Sequence, residues 1–527
     1  MSLISLEAAW EYQSTLNEVP IDLYAVTVPT VGWVSGTSPF GDGPVPTGLT
    51  AINTTWTKNT GLWIRRFVIC DGEKDILVKG NCEQALYVFW NGSFVGSLNP
   101  TNAARTDVPE YRIIIDRTLA ISGTHEIAIL CLDDDSVLGT SLCYVSIEAG
   151  YLPVVFPFQP EVPVIERLSW ITDVNISRNG TEERKKISGS PRQEFKFRYP
   201  TDYEKKPEAQ NILWGDLESE ILIPVWTQGV RVSSISAGLF VLTLDTTNSE
   251  FRAPGFAMIW SSDQRWQIVG IYQVNSNSLL ICNPTEAFSV CWIMPVRIGI
   301  LAKGATKITN GYSSVFELDL MVRDNKELTV SAPTQYLSDD LYTDETLLSG
   351  DTISEEFKID LEVFDPGIGE FSFNTGLERT RSYREFRVLC EDADSSWAFR
   401  QFLHRRSGRY RQFRQPSFEN DLRVENTGLI TNLLQVKKDE YTRSSQSRDT
   451  IAIETSSGWL LRQITDVSSV DSDTMALQLS SNINITKQDI RRISWLGIKR
   501  LDTDVIEINH IGAGVSQSSF MVTEIAS

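Results

Sequence analysis

The feature that most limits how this chain can fold is a pattern that occurs twice. Pro224-Val-Trp226-Thr-Gln-Gly-Val230-Arg231-Val232 and Pro416-Ser-Phe418-Glu-Asn-Asp-Leu422-Arg423-Val424 place proline, aromatic, aliphatic, arginine and valine at identical offsets. Each follows a strand-like run and a helical stretch, and upstream of these Asn179-Gly180-Thr-Glu182-Glu-Arg184 resembles Asn374-Thr-Gly376-Leu-Glu378-Arg379. Downstream, Trp292 lies five residues before Arg297 and Trp495 five before Arg500, and both blocks close on Ser-containing strands at Ser313 and Ser516. A proline lacks the amide proton a sheet ladder needs, so it marks a strand entry. The alternation beyond it puts an aromatic on the buried face and an arginine outside. The last two thirds of the chain therefore read as two tandem copies of one β domain.

The rest of the sequence agrees with a mainly β class. Short runs rich in Val, Ile, Thr and aromatics, such as Ile76-Leu-Val, Ala85-Leu-Tyr-Val-Phe-Trp, Glu126-Ile-Ala-Ile-Leu-Cys and Thr450-Ile-Ala-Ile, are bounded by Gly, Asn, Asp and Pro. Helical periodicity is confined to Glu204 to Leu217 and Ser395 to His404. At roughly 100–200 residues per domain, 527 residues imply about three domains. The proline-rich stretch 151–163 reads as an extended connector. The stretch 331–356, with Asp339, Asp340, Asp344, Glu345, Asp351, Glu355 and Glu356, reads as a solvated acidic linker. These cuts give blocks at 1–150, 164–330 and 357–527.

Chemistry is sparse. The three histidines, His125, His404 and His510, fall one per block, no Cys-x-x-Cys occurs, and no phosphate loop, nucleophile elbow or zinc-protease motif is present. No catalytic residue, metal site or cofactor is expected. The seven cysteines sit mostly in apolar runs and read as buried free thiols; Asp133-Asp134-Asp135 reads as a solvated turn, with a structural Ca²⁺ as the alternative. A formal net charge of -20 disfavours non-specific binding to nucleic acid or anionic lipid. With no long apolar run and Glu7 and Glu11 near the start, neither a membrane span nor a secretory signal is expected.

Two resemblances sharpen this reading. Trp170-Ile-Thr-Asp173 … Gly180-Thr-Glu182-Glu-Arg184 … Ser190-Pro191-Arg192, with Arg405-Arg-Ser-Gly408-Arg409 … Phe413-Arg-Gln-Pro416-Ser-Phe418, resembles tailed-bacteriophage tail and baseplate proteins over about residues 165–527. That resemblance implies a non-enzymatic virion subunit, of distal-tail, baseplate or tail-sleeve type, made in the host cytoplasm and assembled with other phage tail proteins. Duplication lets three chains fill six quasi-equivalent positions, so a homo-oligomeric ring, trimer or hexamer, is expected. In residues 1–150, Trp63-Ile-Arg-Arg-Phe67, Val88-Phe-Trp90-Asn91-Gly92-Ser-Phe94 and Gly123-Thr-His-Glu-Ile127 resemble the jelly-roll sugar-binding domain of many β-galactosidases.

Residue expectations follow. Trp56, Trp63 and Trp90 are candidates to stack on a pyranose ring of a host surface polysaccharide, with core packing as the alternative. Arg405, Arg406, Arg409, Arg411 and Arg414 are candidates to meet carboxylates of a neighbouring subunit. The alternative function is a carbohydrate-binding protein or a glycoside hydrolase accessory protein.

Overall fold

The structure, a computed structural model, describes residues 2–4, 9–15, 26–42, 53–56, 60–70, 75–82, 85–98, 111–115, 119–132, 141–150, 154–202, 205–216, 220–282, 285–310, 313–343, 354–359, 361–375, 380–441, 448–512 and 514–525. The molecule is mainly β, with two α-helices among the described residues, α1 (Lys206–Asp216) and α2 (Ala393–Arg406), close to the two helical stretches read from sequence. The chain forms two compact units. One combines Met1–Glu161 with Phe197–Asp324, and the other combines Val162–Lys196 with Asn325–Ser527. The opening segment of the first repeat thus folds with the second repeat.

In the first unit, residues up to 150 form two sheets. One has the order Tyr111–Ile115, Asp75–Cys82, Ser141–Gly150, Phe40–Asp42, Thr54–Thr55, and the other Val34–Thr37, Ala9–Thr15, Gly61–Cys70, Gly123–Leu132, Ala85–Trp90, Ser93–Leu98. Strand alternation sends Ile127, Ile129 and Cys131 inward against Ile76, Val78, Val145 and Ile147 of the facing sheet. The opposite face is covered as well: Ala128 and Leu130 pack with Trp63, Phe89 and Phe94, and Phe240 of the first repeat lies against them, its ring centroid 5.7 Å from that of Phe94. Burial on both sides explains why Ala85–Trp90 is an unbroken apolar run rather than an alternating one. The stretch 151–163 is not a free connector, since Val154–Val155 pairs with Ile221–Leu222 and Phe156 and Phe158 are buried.

The two repeats share a strand register. Pro224 pairs with Val296 and Pro416 with Leu496, and the next amides, Val225 and Ser417, donate to Pro295 O (2.8 Å) and Trp495 O (2.9 Å). Arg231 and Arg423 both face solvent. The hairpin Thr172–Ile176 with Glu182–Lys186 precedes the strand Arg192–Thr201 at the same spacing as Leu361–Phe364 with Ser372–Thr375 precedes Arg381–Cys390. Thr172 therefore corresponds to Leu361, Lys186 to Thr375 and Arg192 to Arg381.

This register corrects two of the sequence matches. Glu182 stands where Phe371 does and Arg184 where Phe373 does, so Asn179–Arg184 and Asn374–Arg379 are out of register, and Gly376, Glu378 and Arg379 lie outside the described residues. Downstream, Trp495 stands where Pro295 does and Gly497 where Arg297 does, so the Trp-Arg spacing is coincidental.

Candidate assembly surface

The three tryptophans do not form a sugar platform. Trp56, Trp63 and Trp90 are 1%, 4% and 3% exposed, and they belong to the cores on either side of the N-terminal block's second sheet. Their ring nitrogens are spent internally where a partner is present, Trp56 Nε1 donating to Thr60 O (2.9 Å) and Trp90 Nε1 to Leu119 O (3.1 Å). An indole with no open face cannot stack on a pyranose, so the expectation is corrected to core packing. A cavity of about 120 Å³ in the first repeat, lined by Pro254, Phe256, Ile271, Cys282, Val296 and Asp324, is smaller than pockets that take a sugar. Among the described residues no three His, Cys, Asp or Glu side chains gather as a metal site, and no helix is long and apolar enough to cross a membrane. Asp133, Asp134 and Asp135 lie outside the described residues. Six cysteines are buried free thiols, and the side chain of Cys82 lies outside the described residues.

The arginine cluster does meet carboxylates, but those of its own chain. Arg405 donates through Nε (2.9 Å) and Nη2 (3.1 Å) to Asp340, and the fully buried Arg406 also binds Asp340. Arg414 Nε reaches Asp339 (3.0 Å), and Arg409 lies 3.6 Å from Asp504 and donates to Thr172 O (3.1 Å). Arg411 alone of the five is exposed. The segment 331–356, expected as a solvated linker, supplies the partners: Asp339–Leu341 runs as a strand parallel to Phe413–Pro416. The expected contact with a neighbouring subunit is thus replaced, for Arg405, Arg406, Arg409 and Arg414, by pairing within the chain.

Through its bond to Thr172, Arg409 belongs to a seat that holds the first repeat's opening segment, the first arm. Its strand Glu161–Ser169 adds to the edge of Val505–His510, with Val164 opposite His510 and Ser169 opposite Val505. Glu166, wholly buried, accepts from Gln193 Nε2 (2.7 Å) and Arg400, and His510 Nε2 lies 3.0 Å away. Trp170 packs edge-to-face on His404 at 5.8 Å. Gly408, at φ +66°, lies so close that a Cβ would come within 2.3 Å of Asp504 Oδ1 and 3.1 Å of Trp170 Cβ. That approach lets Asp504 accept from the amides of Thr172 and Arg409, both at 2.9 Å.

At the hairpin, Glu182 is clamped by Arg500 through Nε (2.7 Å) and Nη2 (3.0 Å), and by Arg381 (3.0 Å). Burial works to raise this carboxyl, but the Arg500 hydrogen bonds and charge, with Arg381 and Arg184, bring it below its ordinary value. Asp340 is likewise held low, by Arg405 and Arg406 against its burial. α2 forms the wall of the seat because its ends are fixed: Asp392 and Ser395 make a capping box, and Ser407 closes the helix in the left-handed region.

The corresponding arm of the second repeat, 355–375, pairs Glu355–Lys358 with Arg381–Arg384 of its own repeat, but among the described residues nothing covers its large apolar side chains. Phe357, Phe364, Ile368, Phe371 and Phe373 are each more than 60% exposed. The hairpin turn is locally well formed, Asp365 Oδ1 accepting from Gly367 N (2.8 Å) with Gly367 and Gly369 in the left-handed region. Sequence reasoning missed this surface. The apolar alternation Phe357, Ile359, Leu361, Val363 was the available signal, but it reads the same whether a strand is covered or bare.

No known protein family matches the chain, and no curated protein does. Among solved structures, a Faecalibacterium prausnitzii beta-glucuronidase is similar at 9% identity and a TM-score of 0.21, covering 37% of this chain and 44% of that one. The chain thus spans less than half of that enzyme, and a likeness this slight carries no argument.

Proposed function

We propose that the chain is a structural subunit of a tailed-bacteriophage tail, a distal-tail, baseplate or sleeve component that joins copies of itself into a ring around the tail. Attachment to the host surface, if the N-terminal sandwich serves it, uses residues other than Trp56, Trp63 and Trp90, which are core. The observation that carries the reading is the bare arm 355–375. A lone two-stranded hairpin is marginal in water, and contiguous exposed apolar surface marks a site of association. Its large side chains, Phe357, Phe371 and Phe373 among them, have no cover among the described residues. Turnover of a substrate is not part of this role.

Negative-stain microscopy and light scattering of the purified protein test it. Rings of uniform diameter and a mass several times 59.3 kDa are expected. A monomer that stays single at high concentration, and that releases reducing sugar from polysaccharide, overturns it in favour of a carbohydrate-active protein.

A further inference from the structure

The self-assembly reading leaves open which surfaces meet, and the duplication identifies them. At the shared spacing Glu166 corresponds to Glu355, Leu168 to Phe357, Trp170 to Ile359 and Thr172 to Leu361. The first-arm members of these pairs are buried: Leu168 is 1% and Trp170 3% exposed, against 63% for Phe357 and 55% for Ile359. An arm that keeps its apolar positions, with Phe357 larger than Leu168 and Leu361 apolar where Thr172 is not, while nothing among the described residues covers them, is built for a seat outside its own fold.

The first repeat holds an empty counterpart of that seat. In the second repeat the first arm pairs with the strand Val505–His510, whose Ile508 faces Glu166 and also pairs with Ser518. Leu301 pairs with Leu320 as Leu501 pairs with Val522, which places Phe316 where Ser518 is, and Lys307, the partner of Phe316, where Ile508 is. Residues 305–310 are thus the equivalent edge. They pair with Ser313–Val322 on one side, and among the described residues no strand takes the other side. Thr306, Lys307, Ile308 and Thr309 are exposed there.

The helix agrees. Asp202 accepts from Lys205 N (2.9 Å) at the start of α1 as Asp392 accepts from Ser395 N (2.7 Å) at the start of α2. Counting from these caps, Gln210 stands where Arg400 does and Trp214 where His404 does. Arg400 and His404 are the α2 residues that bind Glu166 and pack on Trp170. In the first repeat Gln210 Oε1 accepts from Lys307 Nζ (2.9 Å), and Trp214 is 75% exposed among the described residues.

We infer that the second arm of one molecule seats on the first repeat of another copy. Residues 355–358 add to the free edge 305–310, Glu355 comes opposite Lys307 and Gln210, and Ile359 packs on Trp214. Charge agrees with this occupant: the arm carries Glu355, Glu356, Asp360, Glu362, Asp365 and Glu370 against one lysine, Lys358, and residues 301–310 carry Lys303 and Lys307 with no acid. Each molecule supplies one arm and one edge, so the contact is head-to-tail and either closes into a ring or runs on as a filament.

The test pairs Glu355→Cys with Lys307→Cys in the full chain. Mild oxidation should give a ladder of reducible covalent multimers on a non-reducing gel, and neither single variant should, because the described native thiols are buried. Phe357→Asp combined with Phe373→Asp should reduce the scattering mass to that of a monomer with an unchanged circular dichroism spectrum. Lys307→Glu should weaken association about tenfold, and adding Glu355→Lys should restore it. If the wild-type protein is an oligomer yet the cysteine pair does not link and the Phe357→Asp, Phe373→Asp protein keeps its mass, this joint is wrong while the self-assembly reading stands. A wild-type monomer at every concentration removes both.

Discussion

The two arms share a plan, each strand lying beside the equivalent long strand of its repeat, Glu161–Ser169 beside Arg192–Thr201 and Glu355–Lys358 beside Arg381–Cys390, and differ in what covers their side chains. The first replaces apolar contact at its hairpin with buried charge, Glu182 between Arg500 and Arg381, and has Glu166 enclosed by Arg400, Gln193 and His510. The second has Phe371 where Glu182 stands and Phe373 where Arg184 stands, and leaves both in water. A joint inside one chain forms once, during folding, and can use desolvated ion pairs whose partners are always present. A joint that must form later between separate molecules is better served by an apolar hairpin, which gains on burial and leaves no unpaired charge when it is open.

The sharpest way to break this contrast is to remove charge from the closed joint and bulk from the open one. Glu182→Ala leaves Arg381 buried without its anion and Arg500 with only Asp502 at 3.3 Å, and should cost about 3–5 kcal/mol of stability by urea unfolding of the second unit. Leu168→Ala should cost about 2–5 kcal/mol, whereas Phe357→Ala should stay within about 0.5 kcal/mol in the unassembled protein. Equal effects at Leu168 and Phe357 would mean that the second arm is not bare in solution.

The repeats also differ inside. Ile223 and Gly299 meet in the first repeat, where a Cβ on Gly299 would come within 2.5 Å of Ile223 Cδ1; the second repeat has Gln415 and Lys499 at those places. Lys499 is buried over the ring of Phe386 at 5.7 Å, and burial, with Arg384 nearby, pushes it down from 10.5 to about 8. A cation depressed in the fold destabilises it below the folded value, and the penalty lifts as the group loses its proton ahead of the unfolded chain. Stability should therefore rise between about pH 8 and 10.5, by up to about 3 kcal/mol, and Lys499→Met should remove that slope.

A smaller pH effect lies at the other end. The Glu182 carboxyl is held below its ordinary 4.5, so its contribution is complete above that value and is lost as pH falls through the lower folded one. Acid melting should loosen the first arm's seat in that window, and Glu182→Gln should flatten the curve there.

Much of the fold was legible because strand runs and proline entries are local. Pro224 and Pro416 marked a true register, and both helices stood where periodicity put them. Partnership was not legible. Nothing in Arg405-Arg-Ser-Gly-Arg says that Asp340, far back in the chain, is the anion, and nothing in Trp56 or Trp90 distinguishes an indole closed in a core from one open to a sugar. The arms escaped because Val164-Ile-Glu-Arg-Leu168 and Ile353-Ser-Glu-Glu-Phe357 share one identical residue, Glu166 with Glu355, and otherwise only an alternation common to many strands.

The sheet of the N-terminal block that is buried on both faces has a practical corollary. Cutting the gene near codon 150 would release a fragment whose Phe89, Phe94 and Leu130 lose the shelter given by Phe240, and such a fragment should precipitate on expression rather than behave as a portable cassette. Evolution faces the same limit: this module cannot be exchanged among lineages unless the part of the first repeat that covers it travels along.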